Sequence, residues 1–296
     1  MSMLTQYKSS LKVTEAEELV DLIFFRPLAF LFVKLIYKTS ITPNQLTFFS
    51  MASGIIAAIL ISAALSEPVI FGTFFLILWA VLDCADGQLA RLKKNGTPFG
   101  RLLDGIADYV SNLAIFIGIY FWGFSNLESQ GLWLIVIIIT IVTYAAQEVL
   151  VDYYRSEYIS NYSGKSNFVE NEVVEFQKEY DSIQNTSGQF FKKLTLSLYI
   201  RYSSMQNSNR KEKIKKVNIS SDEYIKANKT MIRLWNLNGT STHSFVLIFL
   251  TFFNRLDLYL WYILIFGNIW TVIVLILQKL INKRVLKTRE PLPVKP

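Results

Sequence analysis

The stretch 81–110, VLDCADGQLARLKKNGTPFGRLLDGIADYV, places four aspartates, Asp83, Asp86, Asp104 and Asp108, at the ends of two strongly apolar segments. Carboxylates at a membrane boundary are costly, so a group of them marks a functional site by default. Asp83 and Asp86 are three residues apart, and Asp104 and Asp108 are four apart, so each pair shares one face of a helix. A hairpin through the loop 92–99 turns the two faces toward each other. Four anions do not stay ionised together at low dielectric without a counter-charge. Divalent cations with oxygen ligands supply it, and Mg2+ or Mn2+ suits carboxylates best.

Outward from this stretch, the composition reads as a membrane protein. Of 296 residues, 52% are hydrophobic and 15% aromatic, which excludes an ordinary soluble domain at these run lengths. Apolar runs near the roughly 20 residues a bilayer needs cover 46–65, 71–90, 102–122, 132–151 and 258–281. A shorter run at 245–253 reads as the core of a further span beginning near Thr242. The expected fold is therefore all-α: a polytopic integral membrane protein with six transmembrane helices and an N-terminal interfacial helix. No cleavable signal peptide is expected, because Glu15, Glu17 and Glu18 fall where an apolar core would be needed.

The chain divides into four parts. Residues 1–41 form the interfacial and juxtamembrane segment, and 42–155 form spans one to four with the aspartates. Residues 156–238 are a polar insertion, and 239–296 hold the last two spans and a tail. Thr42-Pro43-Asn44-Gln45 gives an N-cap threonine, a proline at the first helical position and a glutamine three residues on. Thr97-Pro98 repeats the device before Asp104. Thr14 with Glu17 spells a capping box for an earlier helix, interrupted at Pro27. Leu19, Val20, Ile23 and Phe24 give that helix an apolar face.

Charge fixes the orientation. Of 30 Lys and Arg residues, only Arg255 falls in a loop on the far side of these spans. The loop 91–101, the insertion and both ends share the remainder, so that face is cytoplasmic, and the aspartates open toward it. The net charge of +7 reflects this topology and attraction for anionic lipid or phosphate, with no nucleic-acid partner. In the insertion, Val169, Val173, Phe176 and Tyr180, then Phe190, Leu194 and Leu198, have amphipathic spacing for helices on the membrane surface. The run NRKEKIKK at 209–216 reads as a solvated face.

Single residues narrow the chemistry. Cys84 is the one cysteine, so an intramolecular disulfide is excluded, and it reads as a small packed residue. His243 is the one histidine, which leaves almost no material for histidine metal sites or Ser-His catalysis; it reads as an interfacial residue at the start of its span. Ser50, Gly54 and Ala57 form a stripe of small residues for close helix packing.

Written out, the aspartate region is D-x2-D-G-x2-A-R-x8-G-x3-D-x3-D, with all eight fixed positions filled by Asp83, Asp86, Gly87, Ala90, Arg91, Gly100, Asp104 and Asp108. This resembles the signature of the CDP-alcohol phosphotransferase (CDP-alcohol phosphatidyltransferase) family. The resemblance implies metal-dependent transfer of a substituted phosphate from a CDP-linked donor to an alcohol acceptor, with release of CMP, in phospholipid biosynthesis. By the same resemblance, Asp83, Asp86 and Asp104 would ligate metal. Asp108 would act as general base and touch the second of two Mg2+ (or Mn2+) ions. Gly87, Ala90 and Gly100 would make room for the cytidine nucleotide, Arg91 would meet its phosphates, and Asn44 would assist at the mouth. A homodimer, and contact with membrane lipids, are also implied. Family frequency favours CDP-diacylglycerol as donor; transfer from CDP-choline or CDP-ethanolamine to diacylglycerol is the alternative. Arg155, after the fourth span, is either an anchor or the holder of an acceptor phosphate. A divalent-cation transporter is the rival from another class: it accounts for the carboxylates but not for the Gly87, Ala90, Arg91 and Gly100 spacing.

Overall fold

The computed structural model describes residues 3–11, 13–126, 130–163, 168–184, 186, 188–201 and 221–287. Among these there is helix and turn but no strand. In chain order the helices are α1 (Met3–Ser10), α2 (Arg26–Ile36), α3 (Pro43–Ser62), α4 (Ser66–Lys93), α5 (Pro98–Asn126), α6 (Gln130–Tyr162) and α7 (Phe168–Ile183). Residues 190–201 form α8. They are followed by α9 (Ser221–Asn236), α10 (Thr240–Phe252), α11 (Leu256–Trp261) and α12 (Asn268–Lys287). A π-helical turn, Tyr262–Gly267, joins α11 to α12 as one continuous rod.

Among the described residues, five helical segments are long and apolar enough to cross a membrane: Pro43–Ser62, Val69–Lys93, Pro98–Asn126, Gly131–Tyr162 and Leu256–Lys283. The sixth expected span corresponds to α10, which has 13 residues. At 1.5 Å per residue it extends about 20 Å, short of a hydrocarbon layer of about 30 Å. The bundle exterior is apolar, with Phe48, Phe49, Phe71, Phe74, Ile135, Val142 and Ile276 all exposed. A surface this greasy belongs in lipid.

Several helix starts follow their local sequence. The Thr42 hydroxyl accepts from the Gln45 amide at 3.3 Å, and the Gln45 side chain accepts from the Thr42 amide at 2.9 Å. Thr97 accepts from the Gly100 amide at 2.9 Å at the start of α5. The capping box at Thr14 does not form. Thr14–Ala16 is a single 3-10 turn with Val13 at its N-cap position and no side-chain cap. Glu17 instead pairs with Arg26 at 2.6 Å. A π-helical turn, Asp21–Phe25, leads into α2, whose first turn contains Pro27. The wider turn accommodates a proline that has no N–H to give.

The segment expected to lie along the interface is inverted relative to an ordinary surface helix. Leu19, Ile23 and Phe24 face outward, while Glu17, Glu18 and Asp21 are buried against the bundle. Its acids serve internal contacts, and its apolar side is the exposed one.

Lipid is as apolar as a leucine side chain, so helices associate in it through close packing and hydrogen bonds. Here α3 provides both, packing along α4 and α5. Gly54 of α3 faces Ser111 of α5, and a Cβ on Gly54 would lie 2.9 Å from that of Ser111. Ser50 donates to the Trp79 carbonyl of α4 at 2.9 Å. The small-residue stripe is thus the seam that sets α4 and α5 on either side of α3. At the end of α5 remote from the 94–97 loop, Trp122 donates to Asn254 at 2.7 Å, so the α10–α11 turn and Arg255 lie at that end.

Candidate active site

The four aspartates lie where α4 and α5 lean on α3 rather than on each other. The end of α4 is fixed by a left-handed Lys94 (φ 54°) and by Lys93, whose ammonium donates to the carbonyls of Thr39 and Ile41 at 2.9 and 2.8 Å. Across the gap, the Asp83 and Asp108 side chains share a hydrogen bond. Asp104 lies in the electrostatic field of Asp83, Asp86 and Asp108. Asp86 is buried and accepts a short hydrogen bond from the Thr47 hydroxyl of α3. The pairing expected from spacing is therefore present, and all four carboxyl groups act on one another.

Two carboxyl groups this close require a proton shared between them or, when both are ionised, a cation. All four donors here are oxygens, the ligand type that hard divalent ions take. Among the described residues, no three acidic, histidine or cysteine side chains already converge at metal-binding distances. The donor chemistry fits Mg2+ or Mn2+.

The small residues of the motif admit close neighbours. A Cβ on Gly87 would lie 3.3 Å from the terminal nitrogens of Arg91, so the guanidinium lies over that glycine. Arg91 Nε donates to the Ser10 carbonyl, which ties the end of α1 to α4. A Cβ on Gly100 would lie 3.0 Å from Asn44 Oδ1, so the first turns of α3 and α5 meet at the mouth. Ala90 faces the loop at Gly96.

The insertion reaches this mouth. Glu179 of α7 accepts from the Phe99 amide at 2.8 Å, and Glu175 pairs with Arg101 at 2.8 Å. Phe176, Ile183 and Leu196 bury themselves against Phe99 and Leu102. A cavity of about 420 Å3 opens between Asn44, Phe99, Gln189, Phe191 and Lys192. Phe190, Leu194 and Leu198 of α8 are exposed, so this apolar stripe points away from the protein. The basic run 209–216 lies outside the described residues.

Other features of the site have no local sequence signal. Thr47 continues the Ser50–Gly54 stripe, and that spacing was the one hint of its position beside Asp86. His243 is fully buried rather than interfacial: its ring is 5.2 Å from that of Tyr144 and 5.5 Å from that of Tyr262. Burial and the charge of Glu18 push the Asp21 carboxyl above the usual carboxylate range, although Arg26 lies nearby. Cys84 packs against it, with its thiol 3.6 Å from Asp21.

Residues 40–170, from just before the α3 cap into α7, match the model for the CDP-alcohol phosphatidyltransferase family. That segment resembles a CDP-alcohol phosphatidyltransferase domain. The chain is 32% identical over 85 residues to a protein named phosphatidylinositol phosphate synthase from Mycobacteroides abscessus, covering 29% of this chain and 38% of that one. A protein of the same name from Corynebacterium glutamicum is 34% identical over 89 residues, covering 30% of this chain and 40% of that one. The inner membrane protein YnbA of Escherichia coli is 28% identical over 107 residues, covering 36% of this chain and 53% of that one. These matches span about two fifths to half the length of the relatives. The matched segment contains all four aspartates and α3, on which their helices rest; most of the insertion and the last spans lie outside it.

Proposed function

We propose that this protein transfers a phosphatidyl group from CDP-diacylglycerol to an alcohol and releases CMP. The observation that carries the reading is the meeting of Asp83 and Asp108 across the α4–α5 gap, with Asp86 and Asp104 beside them. The diacylglycerol side of the donor follows from the relatives whose names specify a phosphatidyl product. The site faces the cytoplasm, where CDP-linked donors and water-soluble alcohols meet. The support for that orientation is the crowding of Lys and Arg at the aspartate end of the bundle.

In this reading, Asp83, Asp86, Asp104 and Asp108 hold two Mg2+ or Mn2+ ions. Ions held there would supply positive charge to the donor pyrophosphate and to the attacking and leaving oxygens. The acceptor hydroxyl oxygen forms a bond to the phosphorus that carries diacylglycerol. The P–O bond to CMP breaks, CMP leaves with the electron pair, and the hydroxyl proton passes to the Asp108 carboxylate. Asp83 lies beside Asp108, and Thr47 orients Asp86. Arg91, over Gly87, presents its terminal nitrogens to phosphate oxygens while Ser10 holds its Nε. Asn44, Gly100 and the cavity beside Phe99 admit the cytidine.

The test is CMP release from CDP-diacylglycerol by the purified full chain with a panel of alcohols, with and without Mg2+. Release that requires both an alcohol and the metal supports the reading. Metal-dependent release from CDP-choline with diacylglycerol, and none from CDP-diacylglycerol, assigns the lipid to the acceptor side instead.

A further inference from the structure

The α6 helix turns one polar stripe into the bundle, since Tyr144, Glu148 and Arg155 fall within about 40° of one another around its axis. At one end the Tyr144 hydroxyl donates to Asn112 Oδ1 at 3.4 Å, and Asn112 donates to the Asp108 carbonyl at 2.9 Å. The stripe therefore begins beside the proposed base. At its other end is Arg155, the cation placed to meet an acceptor phosphate.

That cation is already taken. Arg155 Nη2 is 2.7 Å from Glu18 Oε1, and Nε and Nη2 also donate to Asn236 Oδ1 at 3.4 and 3.2 Å. The Glu18 side chain is 2% exposed, and its Oε2 accepts from the Thr242 amide at 2.9 Å and hydroxyl at 3.1 Å. Gly239 is packed so closely on Glu18 that any Cβ there would overlap the carboxylate. Asn236 is locked in turn by the carbonyls of Ala16 and Glu17 at 3.0 and 3.1 Å. A phosphate that drew this arginine away would leave Glu18 buried without its counter-charge, which is strongly unfavourable. The Asp152 carboxyl also lies near Arg155.

Between Arg155 and Tyr144 the stripe offers a carboxyl group. Glu148 Oε2 takes the Thr240 hydroxyl at 2.6 Å, while its Oε1 is buried without a hydrogen-bond partner. A buried carboxyl oxygen in that state calls for a hydrogen-bond partner. Resting on the phosphatidyl-transfer reading, we propose that the alcohol accepted at this site carries no phosphate and presents a hydroxyl group to Glu148. Relatives whose names specify a phosphatidylinositol phosphate product would differ from this chain in that respect.

The experiment compares glycerol, myo-inositol and ethanolamine with sn-glycerol 3-phosphate and inositol 1-phosphate as acceptors for the full chain, reading CMP. At least one unphosphorylated alcohol is expected to exceed both phosphates by about tenfold or more, the scale of one like-charge contact in a partly dry site. Glu18→Gln keeps the hydrogen bonds to Thr242 but removes the charge, and it should narrow that ratio by lowering KM for the phosphates. Preference of the wild type for a phosphate, or an unchanged ratio in Glu18→Gln, overturns the proposal. An arm independent of turnover follows thermal melting with sn-glycerol 3-phosphate. The wild type should not shift, and stabilisation of the wild type that disappears in Arg155→Ala overturns the proposal as well. If no alcohol releases CMP, phosphatidyl transfer fails while the melting arm still decides this point. The wild-type arms stand whether or not Glu18→Gln folds.

Discussion

Gly118 of α5 passes so near Ala58 of α3 that a Cβ at position 118 would lie 2.5 Å from the Ala58 carbonyl oxygen. The obstruction is backbone, so no rotamer change relieves it. This contact and the Gly54–Ser111 contact hold α5, and with it Asp104 and Asp108, at a fixed distance from α3. Gly118→Val should destabilise the protein by at least the about 1–3 kcal/mol typical of overpacking. Thermal unfolding in detergent reads this; an unchanged midpoint contradicts the packing.

Thr47 acts through Asp86. Thr47→Val keeps the shape and removes the hydroxyl that orients the carboxylate. Loss of such an outer contact weakens metal affinity by about 10- to 100-fold. Mn2+ titration followed by electron paramagnetic resonance should show that drop with the fold intact. Equal affinity in Thr47→Val and wild type places Thr47 outside the site.

Asp108 and Asp86 should fail differently. Asp108→Asn removes the proton acceptor, with a loss of about 10²- to 10⁴-fold in single-turnover rate, and retains much of the donor binding. Asp86→Asn should lose donor and metal binding together. A normal single-turnover rate at saturating donor in Asp108→Asn moves the base elsewhere.

Orientation is open to labelling on a Cys84→Ser background, where the serine preserves a donor toward Asp21. Ser125 lies at the end of α5 near Arg255, and Lys178 lies on exposed α7 at the opposite end. An impermeant maleimide should reach Ser125→Cys from outside the cell and Lys178→Cys only after lysis. The reverse pattern would invert the topology.

Much of the site was legible in the sequence because its logic is local. The i,i+3 and i,i+4 spacing of the aspartates, the Thr42–Gln45 box and the Thr97 start each depend on neighbours within one helical turn, and each forms as read. The failures occurred where a distant partner won. Glu17 leaves its local box for the guanidinium of Arg26. Arg155 is neutralised by Glu18, 137 residues away in sequence, and Arg91 is held by the Ser10 carbonyl, 81 residues away. His243 has polar neighbours in Thr242 and Ser244, which suggest an interfacial place, but the fold encloses it between Tyr144 and Tyr262. No spacing rule reaches contacts of that kind.

The central claim is that the four aspartates hold the metal that drives transfer. It is tested most directly by CMP release from CDP-diacylglycerol by wild type and by Asp83→Asn, Asp86→Asn and Asp104→Asn, each first shown to be folded and membrane-inserted. Mg2+-dependent release in the wild type, abolished together with Mn2+ binding in all three variants, is the expected result. An Asp86→Asn protein that releases CMP at the wild-type rate with unchanged metal dependence would contradict the account.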